Sequence, residues 1–317
     1  MNLERSPKPI PQPPISLAIV VVNYHCAVEI KRLLESVRRS LSYANQTPHR
    51  INLQIWIVNN SLGDRSIQEL AKFRDLAINI IDAPGNVGFG RACDIAIAQL
   101  WPLKNRPWIW LLNPDTTLDV ETLAKLGAVL KQNWETSWAI AGTKVQTPAQ
   151  KIEFNGGYWN PKTGEILPVT ETQQDSNSTA WVSGCSLMFN PKGFGDLIPQ
   201  FDPDFFLYYE DFELCWRYGK KLRSPTHPSP IVLLPGITIT HHTSSIIGRQ
   251  PTQKMAWAIE GYLLALDKCA PPLVWLRRLI RIAIAAALSR IQGHSGKWIG
   301  LMRYCKKRLF KNDHGLN

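Results

Sequence analysis

The sequence predicts an α/β protein built on a mostly parallel, doubly wound sheet, with a basic helical extension at its C-terminus. Three observations carry that expectation. Apolar, β-branched runs alternate with stretches of helical periodicity as far as Lys131, the pattern of strand–helix–strand units. The runs are apolar throughout rather than alternating, as strands covered on both faces must be. Each run ends in a polar turn, and parallel sheets of this kind bind ligands at the carboxyl ends of their strands.

The elements follow in order. Residues 1–14 are polar and proline-rich and read as a flexible leader, not as a secretory segment. Leu17–Tyr24 is the first buried strand, followed by a helix with Val28, Ile30, Leu33, Leu34 and Val37 on one face. Leu53–Asn60 is the second strand, Ser66–Phe73 a short helix and Ile78–Pro84 the third strand. The glycine-rich turn Gly85–Gly90 leads into a helix over Arg91–Leu100. Trp108–Asp115 is the fourth strand and Asp119–Lys131 the next helix. Polar clusters fall at four strand ends: Asn23-Tyr24, Asn59-Asn60-Ser61, Asn86 and Asn113-Pro114-Asp115. Beyond residue 140 the pattern changes. Residues 151–179, rich in Gly, Asn, Gln and Thr, read as a hairpin or substrate loop, Trp181–Asn190 as a strand, and Ile231–His242 as a last strand pair.

Composition narrows the function. With 44% hydrophobic and 19% charged residues in 317, the chain is an ordinary globular one. The net charge is +11, but from Ala270 onward ten Lys/Arg face one acid, Asp313. The basic character therefore belongs to the C-terminal region. That argues against nucleic acid as a partner of the main body, where a basic groove would be needed. Six cysteines without CxxC spacing predict free thiols in a cytosolic protein.

Several constellations can carry chemistry. Asp115, at a strand end fixed by Pro114, can bind a divalent cation bridging a diphosphate; Asn-Pro-Asp is also an ordinary turn. Glu210 and Asp211 follow four aromatics in Phe205–Tyr209. Carboxylates against rings acquire the raised pKa of a general base, and acids also favour helix N-termini. His241 and His242 end an apolar strand and are candidate ligands to metal or phosphate. Gly85–Gly90 has GxxGxG order, neither a dinucleotide fingerprint nor a Walker loop.

Read together, VVVNY (20–24), IVNNSLGDRS (57–66), GNVGFGRACDIAI (85–97), LLNPDTTL (111–118), VSGCSLMF (182–189), YYEDFELCWR (208–217) and HHTSS (241–245) resemble the family 2 glycosyltransferases of the GT-A fold. The nearest subgroup is the rhamnosyltransferase-like one. The resemblance spans residues 15–250, with residues 251–317 as the helical basic region. It implies an inverting transfer of a sugar, rhamnose in this subgroup, from a dTDP- or UDP-linked donor to a hydroxyl of a glycan or lipid-linked acceptor, in surface polysaccharide synthesis. By resemblance Asp115 and His241, with His242 as alternative, hold Mg²⁺ or Mn²⁺. Asp211 is the catalytic base and Glu210 its neighbour near the acceptor. Asn23, Tyr24, Asn59, Asn86, Gly88, Phe89, Arg91 and Asn113 line the nucleotide-sugar pocket. Asn59 stands where the family usually has an Asp that contacts the base, and Asp94 where it often has Asn.

The tail Pro272–Arg290 mixes Trp275, leucines and isoleucines with Arg277, Arg278, Arg281 and Arg290. It predicts amphipathic helices on an anionic membrane surface, and so a protein peripheral on the cytoplasmic face; a helical cap packed on the body is the other reading. Two other functions share the sequence features: a catalytically silent nucleotide-sugar-binding scaffold, and a nucleotidyltransferase. The second would want a glycine-rich basic loop after the first strand, where VNYHCAVEI stands.

Overall fold

The computed structural model describes residues 14–132, 138–170, 179–224, 229–242 and 251–313. The leader, apart from Pro14, and the Thr-Ser-Ser part of the HHTSS motif lie outside the described residues.

The first half follows the expected alternation. β1 (Ile15–Asn23), β2 (Ile51–Asn59), β3 (Ala77–Asp82) and β4 (Trp108–Leu112) are parallel neighbours in the order β3-β2-β1-β4. Leu17 to Val21 of β1 are almost wholly inaccessible, which is why that stretch is apolar at every position. Helices α1 (Ala27–Ala44), α2 (Phe89–Leu100) and α3 (Thr122–Gln132) supply the covering layers. Burial of each large aliphatic side chain contributes roughly 1.5–3 kcal/mol. The short segment Ser66–Lys72 is a 3₁₀ helix.

The second half departs from the parallel expectation. β10 (Ser186–Phe189) runs antiparallel to both β4 and β6 (Ile140–Gln146). β11 (Ile231–His241) is parallel to β6 but antiparallel to β5 (Thr116–Leu118). β7 (Ile152–Phe154) folds back antiparallel on β6. Among the described residues the result is one mixed, nine-stranded sheet. The reason lies in the connections: β6 reaches β7 by a short turn, which permits only antiparallel pairing, whereas parallel neighbours need a crossover. The expected last strand pair is one long strand with a register break between Leu233 and Thr238. β8 (Gly157–Asn160) and β9 (Glu165–Pro168) form a separate hairpin, as expected for that polar stretch.

After the four-residue α4 (Pro191–Phe194) and α5 (Glu210–Lys221), the chain ends in α6 (Pro251–Cys269), α7 (Pro272–Ile291) and α8 (Gly296–Asp313). α6 packs on both α5 and α8. Gly261 makes the first contact possible: a Cβ there would lie 2.3 Å from the Tyr208 carbonyl oxygen. α7 is different. Ala286 is its one fully buried residue, and Leu273, Leu276, Ile280, Ile284, Leu288 and Ile291 are exposed along one stripe. Among the described residues no helix is long and apolar enough to cross a membrane.

Candidate active site

The strand ends form a hydrogen-bonded floor. Asn23, Asn59 and Asp82 close β1, β2 and β3 in register. The Asn23 amide donates to Asn59 Oδ1 (3.0 Å) and Asp64 Oδ2 (3.2 Å), and the Asn59 amide donates to Asp82 Oδ1 (2.8 Å). Asn59 Oδ1 also accepts from the Ser61 N–H (3.4 Å), so both halves of this side chain are engaged within the protein. Asp64 and Asp82 are therefore part of the floor, although sequence reading passed over both. The signal was available for Asp82, the last residue of a strand whose neighbours end in Asn23 and Asn59. Hydrogen bonds from Ser66 first, and from Asn23, hold the Asp64 carboxyl below its usual range.

The glycine-rich turn is anchored to this floor. Asn60 donates to Asn86 Oδ1 (3.1 Å) and accepts from the Val87 N–H (2.9 Å). Gly88 adopts φ +90°, and a Cβ there would sit 2.3 Å from the Phe206 carbonyl oxygen, so only glycine lets the turn dock. The Phe89 N–H then donates to that same oxygen (3.1 Å). Tyr24, Asn86 and Arg91 are exposed at this rim. Asp94 finds its account here: both carboxylate oxygens accept from the Phe201 N–H (3.1 and 3.2 Å), tying α2 to the segment that leads into α5. Burial pushes its pKa up to about 7.

Asp115 sits in the turn between β4 and β5. Its Oδ1 is 3.3 Å from Nε2 of His241, whose Nδ1 is 2.9 Å from Glu153 Oε2. His242, one residue past the end of β11, faces the other way, with Nε2 3.0 Å from the Thr117 hydroxyl. Thus His241, rather than His242, lies beside Asp115. Burial opposes protonation of His241, but Asp115 and Glu153 outweigh it and hold the imidazole pKa above its usual value. Glu153 carried no motif and was not foreseen.

Asp211 lies in the first turn of α5. Tyr208 and Tyr209 precede it with φ of 72° and 67°, a left-handed pair that is costly for non-glycine residues and concentrates at functional sites. Asp211 Oδ2 accepts from the Gly184 N–H and Oδ1 from the Phe212 N–H, each at 2.8 Å. Burial pushes its pKa up against the pull of those amides. Glu210 turns inward: it is buried, and among the described residues Oε2 has no hydrogen-bond partner. Burial first, then the Asp211 charge, pushes its pKa up to about 8.

The dipeptide Gly184-Cys185 joins the two acidic centres. Gly184 donates to Asp211, while the next residue, Cys185, accepts from the Asn113 N–H (3.1 Å) through its carbonyl. The partly buried Cys185 thiol feels Asp115, Glu153 and Asp211 together, and desolvation first, then those charges, drives its pKa well up. Asp115 and Asp211, nearly a hundred residues apart, thus flank one short loop.

Among the described residues no group of three His, Cys, Asp or Glu side chains is arranged to hold a metal ion. Two protein donors suffice where substrate phosphates supply the rest. The 3.3 Å between Asp115 Oδ1 and His241 Nε2 is close to the edge of about 3 Å that an octahedron of ~2.1 Å bonds requires. Of the two donors, the carboxylate suits Mg²⁺ or Mn²⁺, while an imidazole is more often a ligand to transition ions.

Comparison with known proteins gives this arrangement a context. The family model described as glycosyl transferase family 2 matches residues 18–182, just over half of the chain. A relative from Mycobacterium tuberculosis, N-acetylglucosaminyl-diphospho-decaprenol L-rhamnosyltransferase, is 25% identical over 92% of this chain and 96% of its own. Two solved structures show the GT-A fold. The mannosyltransferase PcManGT of Pyrobaculum calidifontis, in complex with GDP-Man and Mn²⁺, matches with TM-score 0.52 and 12% identity over 96% of this chain and 90% of that one. GalNAc-T7, with UDP, GalNAc and Mn²⁺, matches with TM-score 0.56 and 12% identity over 80% of this chain. The match spans about half of that second protein, 48%.

Proposed function

The chain belongs to glycosyl transferase family 2, and from that premise we propose that it transfers rhamnose, with inversion, from a dTDP- or UDP-linked donor to a hydroxyl of a lipid-linked glycan acceptor. The observation that carries this reading is the Gly184-Cys185 dipeptide, whose Gly184 N–H donates to Asp211 and whose Cys185 carbonyl accepts from the N–H of Asn113, two residues before Asp115. It supports a single displacement, with an acceptor alcohol arriving on the Asp211 side and a diphosphate leaving on the Asp115 side. The printed name of the mycobacterial relative, a rhamnosyltransferase acting on a decaprenol-linked sugar, supports the donor and acceptor classes.

In this reading Asp211 takes the proton of the acceptor hydroxyl. Its two amide hydrogen bonds fix the carboxylate's orientation, and its raised pKa strengthens it as a base. Glu210, buried and held neutral, leaves the negative charge of the pair on Asp211 rather than touching the acceptor. Asp115 and His241 would hold a divalent cation, which when bound supplies Lewis-acid compensation for the charge growing on the diphosphate. The nucleotide would lie along the floor from Asn23 to Asp82, over Asn86, Gly88 and Phe89, within reach of Tyr24, Arg91 and Asn113. We further assign α7 to an anionic membrane surface on the cytoplasmic side. Its exposed stripe, flanked by Arg277 and Arg281, is the pattern of an interfacial helix.

The reaction is tested by incubating the full chain with dTDP-rhamnose or UDP-sugars, Mn²⁺ and a polyprenyl-diphosphate-linked sugar. Stoichiometric release of nucleoside diphosphate with glycosylated lipid is expected. Pyrophosphate release, or donor binding without turnover on any acceptor, contradicts it. For the membrane assignment, replacing Ile280 and Ile284 together by Gln should weaken flotation with phosphatidylglycerol vesicles; equal flotation rules α7 out.

A further inference from the structure

We propose that Glu153 is a positioning residue for the metal-side imidazole. From β7 it fixes Nδ1 of His241, so that Nε2 is presented to Asp115 and to a divalent cation bound beside it. The inference rests on the cation-holding role of Asp115 and His241 proposed above.

Two independent features of the chain point to Glu153. The first is contact: its Oε2 lies 2.9 Å from Nδ1, while the other ring nitrogen lies 3.3 Å from Asp115 Oδ1. The second is register. Val145 pairs with Phe154 and Gln146 with Ile152, leaving Glu153 as the extra residue of a β-bulge. Bulges re-aim a side chain and gather beside active sites. Here the neighbouring Phe154 is buried against Trp181, while the bulged residue reaches across the end of β6 to His241 on β11. A regular three-residue strand would give Glu153 a partner on β6 and a direction set by the pleat.

The chemistry follows from the imidazole itself. A neutral ring has one N–H and one lone pair, and the group bonded to one nitrogen decides which nitrogen keeps the proton. A carboxylate acceptor at Nδ1 keeps the N–H there and leaves the Nε2 lone pair for a metal. It also stops rotation of the ring. Outer partners of this kind typically change metal affinity by about 10–100-fold.

The test compares the wild-type full chain with Glu153→Ala, Glu153→Gln and Asp115→Ala. Free Mn²⁺ is followed by electron paramagnetic resonance, with UDP or dTDP added, whichever the wild type binds. Glu153→Ala should weaken Mn²⁺ binding about 10–100-fold and leave nucleotide binding in EDTA unchanged. Glu153→Gln, which keeps an acceptor oxygen and is nearly isosteric, should lose less. In the metal-free ¹⁵N-histidine-labelled protein, the His241 Nδ1 resonance should move in Glu153→Gln. Mn²⁺ affinity in Glu153→Ala within about twofold of wild type would overturn the role of Glu153 while leaving the cation site standing. Equal Mn²⁺ binding by wild type and Asp115→Ala would remove the cation site, and this inference with it.

Discussion

Two acidic centres flank the Gly184-Cys185 dipeptide, and they are built on opposite plans. Asp115 stands in a turn between strands, beside an imidazole that is itself held by a second carboxylate. Its geometry is imposed by sheet register, since β5, β6, β7 and β11 all end near it. Asp211 stands at a helix N-terminus reached through two left-handed tyrosines, and its named partners are backbone amides. Rings crowd this side: Trp159 and Trp181 pack edge-on against Phe212, and Tyr209 against Tyr262 of α6. At Asp115 the neighbouring imidazole of His241 adds a second donor to the candidate cation site. A carboxylate buried among rings is driven toward neutrality, which makes it the better proton acceptor. The two roles proposed for the same side chain rest on this difference in surroundings.

The sharpest way to break this contrast is Asp211→Asn. The amide keeps the shape, and its oxygen still accepts from Gly184 or Phe212, but the base is gone. Turnover should fall roughly 10²–10⁴-fold, while donor affinity measured by calorimetry stays put. Near-normal turnover would dissolve the contrast altogether. Asp115→Ala tests the other side and should act on a different quantity. Nucleotide affinity with Mn²⁺ should fall to the level seen in EDTA, a change of about 10–100-fold. An unchanged Mn²⁺ increment would mean that the strand-end acid does not grip a cation.

How each side was legible in the sequence follows from the same difference. The apolar runs of β1, β2 and β4 announce themselves because both faces are covered. The acids at 115 and 211 could be singled out because each sits in a local motif. What could not be read was direction. Glu210 and Asp211 are adjacent on a helix, about 100° apart around its axis, and only the start of α5 decides which one faces the loop. His241 and His242 point to opposite sides at the end of β11, and sequence alone left either as the ligand. Glu153 was invisible because a bulge is a property of pairing with β6, not of the residues Ile152–Phe154. The mixed sheet beyond β6 escaped for a similar cause, as strand direction there depends on how the hairpins close.

Among the described residues the C-terminal helices hold the segment that leads into α5 and Asp211. Lys268 of α6 lies 2.6 Å from Asp202 and 2.8 Å from Asp204, in the segment entering α5. Lys307 of α8 donates to the Asp204 carbonyl oxygen (2.7 Å) and pairs with Glu260. The extension therefore braces the catalytic body, which was the second of the two readings of the tail; the exposed stripe of α7 keeps the first available on another surface. Lys268 is 25% exposed, between a surface pair at ~0–1 kcal/mol and a buried one at ~3–5. Lys268→Ala should cost about 1–3 kcal/mol, lowering Tm by roughly 2–4 °C for each. It should also reduce kcat more than it alters nucleotide affinity. A loss confined to nucleotide affinity would show that the brace serves the floor instead.

The smallest effect concerns Glu210, and its sign can be worked out. In the folded chain burial and Asp211 raise its pKa to about 8 from the ordinary 4.5. Between those values the unfolded chain has released a proton that the folded chain retains, so stability falls as pH rises. The contribution is fully present below about pH 4.5 and is lost as pH passes through about 8. Glu210→Gln removes the titration and keeps the shape. Its Tm relative to wild type should therefore climb across that window. Thermal melts of both proteins at pH 5 and pH 8 measure it. A difference that does not change with pH would mean that Glu210 is ionised in the folded protein, leaving two charges side by side and removing the reason for assigning the single negative charge to Asp211.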